Sequence, residues 1–260
     1  MTAISSPPPL PATAIDRSVV DRPTGAKGLI VALAILFIWA GSLTLLLTAN
    51  VAQMPPAAII LAMLVQMFLY TGLFITAHDA MHGVVYSNPK VNNLIGAIAL
   101  QLYALFSFKK LLRTHWQHHY HPASDRDPDF HDGNHKNFFA WYFTFMKNYW
   151  SWWRIIGLVA IYHSLHGLLH IPQQNLNLFW VIPSIASSAQ LFYFGTYRPH
   201  REPEDGYEEP FRASTTALPT FWSFITCYHF GYHREHHEFP HVPWWQLPAV
   251  HRSQRECASS

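Results

Sequence analysis

The sequence predicts an all-α integral membrane protein with four transmembrane helices, a re-entrant or interfacial helix, and a histidine-rich cap on the cytoplasmic side. Three observations carry this reading. Charged residues make up only 12% of the chain against 50% hydrophobic, whereas a soluble domain is about one quarter charged. Long stretches carry no charge at all. Histidine is the anomaly: 18 histidines outnumber the 17 lysines and arginines, and most fall in tight groups. The mean hydropathy of +0.05 is too low for a bundle of spans alone, so a polar part must stand outside the bilayer.

Each element follows from the chain in order. Residues 1–28 are polar and rich in proline (Pro7, Pro8, Pro9, Pro11), which reads as a disordered N-terminal tail. The apolar run that follows starts too far in, and is too long, for a signal peptide. Leu29–Ala49 and Ala57–Ala77 are each 21 residues without charge, and a span needs roughly 20. Asn50–Pro56 is the turn between them. Ile155–Ile171 and Leu176–Tyr197 form a second pair of spans joined by Pro172–Asn175. Leu94–Phe108, at 15 residues, is too short to cross and suits the re-entrant or interfacial helix. Phe138–Trp153 is dominated by aromatics, as at the lipid headgroup level. From Arg198 the chain is polar and histidine-rich, and Phe221–Phe230 is too short to cross. The membrane domain runs over residues 29–251, and 252–260 reads as a C-terminal tail.

Charge sets the expected topology. The turns Asn50–Pro56 and Pro172–Asn175 hold no Lys or Arg, so in a four-span chain every basic residue lies on the opposite side. Positive charge favours the cytoplasm, which puts both termini and the long loops there, in the inner membrane of a cell. A net charge of +2 with scattered basic residues gives no footprint for nucleic acid. Two cysteines, Cys227 and Cys257, cannot build a disulfide framework.

The histidines form three clusters: His78 and His82 in HDAMH, His115, His118 and His119 in HWQHH, and His233, His236 and His237 in HREHH. Spacings of three and four put side chains on one helix face. Adjacent histidines diverge by about 100°, so one imidazole of each adjacent pair can serve one metal and its neighbour a second. The topology brings all three clusters to the cytoplasmic face. Eight imidazoles exceed the four ligands of a structural zinc, and the absence of cysteine from these clusters disfavours copper(I) and iron–sulfur clusters. Two non-haem irons fit best. Asp79, Asp125, Asp127, Asp129, Glu235 and Glu238 lie in or near the clusters. Asp79 and Glu235 are the expected acceptors of a ligand ring N–H. His163, His166 and His170 fall within a predicted span and read as packing or cavity residues. His121, His131, His135, His241 and His251 read as solvated or supporting.

At HDAMH, HWQHH and GYHREHHEFP the sequence resembles the membrane fatty-acid desaturase and hydroxylase superfamily, in order and spacing. The longer strings HDAMHGVVY, HWQHHYHPASDRDPDFH, NFFAWYFTFMKNYWSW, LFYFGTYRPHR and SFITCYHFGYHREHHEFPHVPWWQLP resemble the bacterial β-carotene ketolases. That resemblance implies oxidation of ring carbon 4 to a ketone by two successive hydroxylations, with O2 as cosubstrate. It also implies a ninth ligand after the last span. His200 occupies that position; His229 is the rival, or a residue supporting a ligand. The implied substrate is an apolar carotenoid in the bilayer. Trp116, Tyr120, Phe194, Tyr197, Phe230 and Tyr232 flank the clusters and are the expected substrate-lining residues. The chain shows no fused redox domain, which implies an external electron donor such as ferredoxin. Two alternatives stay open: an acyl-chain desaturase or hydroxylase, or alkane hydroxylase, and a non-catalytic metal or haem carrier. The absence of CxxCH argues against covalent haem.

Overall fold

A computed structural model describes residues 25–131, 133 and 135–259, and all regular structure among them is helical. Most of the expected N-terminal tail, residues 1–24, lies outside the described residues. Helix α1 spans Lys27–Leu47 and α2 spans Pro56–Met81. Pro56 opens α2 at the first helical position, where a missing N–H costs nothing. Helix α2 continues one turn past the predicted span end at Ala77, so HDAMH is its last turn. Gly83, at φ +71°, stops it in the left-handed conformation common after helix ends.

Helix α3, Pro89–Ala104, starts at Asn88, whose side chain accepts from Lys90 N. Leu105 adopts a left-handed conformation (φ 56°) and ends it. Ser107 then caps α4, Phe108–Tyr120. The two limbs meet at 97°. The half-length segment expected at Leu94–Phe108 is therefore the first limb of a sharply bent pair, and the second limb carries the HWQHH histidines.

Helix α5 covers Phe138–Asn148 and α6 covers Trp152–Leu168. Helix α7 is continuous over Gln173–His200. It contains two π-helical stretches, Asn177–Val181 and Tyr193–Tyr197. Proline removes the hydrogen bond to the carbonyl four residues earlier. For Pro183 and Pro199 those carbonyls belong to Phe179 and Gly195, inside the two stretches. Helices α8 (Thr220–Cys227), α9 (His233–Glu238) and α10 (Leu247–Ser259) follow among the described residues. Helix α10 runs through the segment read as a C-terminal tail.

Helices α1, α2 and α7 are long and apolar enough to cross a membrane, and the bent pair α3–α4 would add a fourth if it counted as one span. Helix α6 has 17 residues, about 25 Å against a hydrocarbon core of about 30 Å. It stops short of the predicted Ile171 because His170 turns left-handed (φ 53°) just ahead of Pro172.

Helix α2 is the centre of the molecule and packs on α1, α3 and α7. Tyr70, Leu73, Ile75, Ala77 and Leu100 are fully buried there, whereas Phe37, Leu45, Ile60 and Leu61 face outward. The Asn175 side chain donates to the carbonyls of Leu46, Leu47 and Ala49 at 2.8–3.2 Å. It thereby fixes the start of α7 beside the end of α1. The two turns lacking Lys and Arg share this end of the bundle, and HDAMH and His200 stand at the other.

Candidate metal centre

At that other end, α2, α4, α7 and α9 deliver nine imidazoles into two adjoining groups. The first holds His78 and His82 from α2, His115 and His119 from α4, and His236 from α9. The second holds His118 from α4, His200 from α7, and His233 and His237 from α9. Within each group the ligand nitrogens lie within 4.8 Å of one another. The adjacent pairs part company: His118 joins the second group and His119 the first, His237 the second and His236 the first.

The close approaches are between Nε2 atoms. In the first group they are 2.7 Å for His82–His115, 3.2 Å for His119–His115 and 3.0 Å for His236–His119. In the second they are 3.1 Å for His118–His237, 3.0 Å for His233–His200 and 3.1 Å for His237–His233. Two protons can be located. The Arg212 carbonyl can only accept, so His200 Nδ1 carries the hydrogen at 2.9 Å. Asp127 takes the Nδ1 hydrogen of His118. Neutral rings so arranged present a bare lone pair at Nε2. His78 Nε2 is also buried without a partner. Lone pairs crowded at about 3 Å repel unless a cation lies between them, so the donor set fits metal ions.

The electrostatics divide: burial lowers the His118 pKa, but Asp127 and Asp129 outweigh it and raise the value to about 9, so a metal must displace a proton there. His233, His236 and His237 are buried, and burial together with neighbouring imidazoles holds their pKa values well below the usual range. They are neutral and available as ligands near pH 7. Burial pushes the Asp127 carboxyl up, but His118 outweighs it and holds the value below the ordinary carboxylate range. Burial lifts the neighbouring Asp129 to about 6 despite His118, and Tyr149 donates to its carboxylate.

The expected supporting carboxylates divide. Asp79 Oδ1 lies 3.7 Å from His78 Nδ1, and its other oxygen accepts from Trp244 N. Glu235 reaches no ligand ring. Its oxygens face Thr215 Oγ1 at 2.6 Å and His251 Nδ1 at 2.5 Å, because its direction on α9 points away from both groups. Asp127 holds a ligand ring instead. Its turn orients it: the amides of Ala123 and Asp129 both donate to it at 2.9 Å. The signal in the sequence was an aspartate before proline in DRDPDF, a turn-forming pattern. His229 is 6% exposed but lies outside both groups, against Phe224, Tyr232 and Trp244. His163 and His170 are exposed on and just beyond α6. His166 donates to the Ile171 carbonyl.

An apolar cavity of about 260 Å³ reaches the metal centre, where His78, His115, His118 and His233 line it. Of the six aromatics expected to line the substrate site, only Phe230 does so. Trp116 packs on the outside of His82 and His119, and Tyr120 stacks beyond it. Phe194 contacts Tyr193. Tyr197 packs on Phe138 and Trp141, and Tyr232 donates to the Leu218 carbonyl. Neighbours of a ligand along a helix turn away from it by about 100°. The lining includes instead Phe74 and Leu111, one turn before His78 and His115 on the same faces of α2 and α4, and Phe192 of α7.

Helices too apolar for water, carrying two groups of imidazoles at one end, define a membrane metalloprotein. A family profile described as fatty acid desaturase matches residues 52–162 and 137–260, and the chain belongs to that family. Within it the chain is 45% identical over 192 residues to a beta-carotene 4-ketolase 3 of Haematococcus lacustris, covering 71% of this chain and 59% of that protein. It is 42% identical over 188 residues to a beta-carotene ketolase of Paracoccus sp. (strain PC1), covering 72% and 76%. A zeaxanthin 4-ketolase of Chlamydomonas reinhardtii is 43% identical over 196 residues, covering 74% and 44%. The chain thus spans 44–59% of the length of these algal relatives.

Proposed function

We propose that this chain is a membrane non-haem di-iron oxygenase that converts the ring carbon-4 methylene of a β-carotene-type carotenoid to a ketone. The observation that carries the reading is the meeting of the two imidazole groups with the inner end of an apolar cavity. Similarity to ketolases of algal and bacterial origin supports it.

His78, His82, His115, His119 and His236 hold one iron, and His118, His200, His233 and His237 the other. When bound, the irons supply the oxygen-activating redox chemistry. The protein's own part is placement. Asp127 fixes the tautomer and direction of His118, and the Arg212 carbonyl does the same for His200. Phe74, Leu111, Phe192 and Phe230 enclose an apolar ring beside the ligands and exclude water. Two rounds of hydroxylation at one carbon, with loss of water, give the ketone.

Residues 29–251 form the oxygenase domain. We take α6, extended by Leu169–Ile171, as a span together with α1, α2 and α7. The arginine- and lysine-free turns at the opposite end then put the metal centre and both termini on the cytoplasmic side of the inner membrane. An external carrier such as ferredoxin supplies electrons.

Expression in a host that accumulates β-carotene, with extracted pigments resolved by chromatography and mass, tests the proposal. Ketocarotenoid should appear. Unchanged pigment with altered membrane acyl chains would replace it with an acyl-lipid desaturase or hydroxylase.

A further inference from the structure

The cavity does not end as a closed chamber. Its lining residues at the metal end, among them Leu111, Phe192 and Phe230, are buried, but Met146, Trp150 and Ile185 are 38%, 49% and 59% exposed. All three line the same cavity. Tyr142 of α5 hydrogen-bonds Ser188 of α7 at 2.5 Å, so the antiparallel helices bring Met146 beside Ser184 and Ile185. Helix α6 closes the third side with Ile155 and Leu158 and has no buried residue of its own.

The chemistry of this opening is apolar despite its serines. Ser184 Oγ donates to the Val181 carbonyl and Ser188 Oγ to the Ile185 carbonyl. With their hydrogens committed to their own helix, and Ser188 Oγ accepting from Tyr142, neither serine offers the opening a free donor. Arg154 is committed as well. Its guanidinium donates to the carbonyls of Ala104 and Tyr149 and stacks over Phe106 at 3.3 Å. The opening lies on the flank of α7, a helix long and apolar enough to cross a membrane, and not at its polar end.

We infer that the gap between α5, α6 and α7 is a lateral mouth through which a rod-like polyene enters from the bilayer and in which its chain rests during reaction. This rests on the proposed ketolase function. Size supports it: ligand sites run about 300–1,000 Å³, and a cavity of about 260 Å³ takes one ring, not a forty-carbon molecule. A conjugated chain cannot coil to fit, so the remainder projects through the mouth into lipid.

Cysteine trapping tests the mouth. Ser184→Cys and, separately, Ile185→Cys are made with Cys257→Ser, and the iron-loaded enzyme is placed in phospholipid vesicles. The probes are a lipid-soluble N-alkylmaleimide and a water-soluble charged maleimide. Ile182→Cys, exposed on the same helix outside the cavity, is the control. Both mouth cysteines should react with the lipid-soluble probe and far more slowly with the charged one. β-Carotene at ten times its Kd should slow that reaction about tenfold and leave Ile182→Cys unaffected. Equal rates with and without β-carotene, in vesicles where the wild-type enzyme converts it, would overturn the inference. So would equally fast reaction with the water-soluble probe. If wild-type enzyme makes no ketone, the ketolase reading fails, and the preference between the two probes still decides whether the mouth opens to lipid.

Discussion

Asp127 accepts the Nδ1 hydrogen of His118 with both carboxylate oxygens at 2.9 Å, and both residues are buried. A carboxylate at the far nitrogen of a ligand imidazole fixes its tautomer and strengthens it as a donor. Asp127→Ala should therefore weaken iron binding by about 10–100-fold, with the loss confined to one of two ions. Competition against a graded chelator measures it. Unaltered affinity would reduce Asp127 to a turn residue.

His200 and His229 separate cleanly as ligands. His200→Ala should remove one iron per chain and abolish ketone formation. His229→Gln should keep both irons, since that ring packs on Phe224 and Trp244 away from either group. Iron assay of the two purified variants decides it; the reverse pattern would make His229 the ninth ligand.

A methyl group at Gly195 would meet Phe230 Cε1 at 2.3 Å. Phe230 in turn lies 4.8 Å from the His78 ring and 5.3 Å from the His233 ring. Gly195→Ala must displace the Phe230 ring, which lines the cavity beside these ligands, and overpacking of this kind costs about 1–3 kcal/mol. Ketone formation should fall sharply with iron content kept. Full activity would mean that the ring moves aside freely.

Burial lowers the His229 pKa from its ordinary 6.5 to about 4. The unfolded chain binds this proton before the folded one does. The residue's contribution to stability is therefore complete above pH 6.5, and it is lost as pH falls towards 4. Thermal unfolding of His229→Gln should show a shallower fall than wild type between these limits. Parallel curves would assign the acid sensitivity elsewhere.

The spans and the histidine clusters were legible because both are local patterns. Charge-free runs mark α1, α2 and α7, and the adjacent histidines of HWQHH and HREHH diverge as helical geometry requires. The bent pair was half legible: Leu94–Phe108 is visibly too short to cross, but nothing marked Leu105 as left-handed. The end of α6 depended on His170 in the same way. What the sequence hid was tertiary. Phe74 and Leu111, four residues before His78 and His115, share a helix face with those ligands and line the cavity, whereas Trp116 and Tyr232, next to ligands in the chain, do not. That these faces and Phe192 of α7 enclose one cavity depends on how the helices pack. Glu235 failed for the same reason, and Asp127 succeeded through a turn nine residues after its partner.

Two ions in two imidazole groups set a stoichiometry, which anaerobic titration of the purified metal-free chain with ferrous iron measures. Two irons should bind per chain, falling to one in His200→Ala. Saturation at a single iron, or a chain that takes up zinc tetrahedrally in preference to iron, would contradict it.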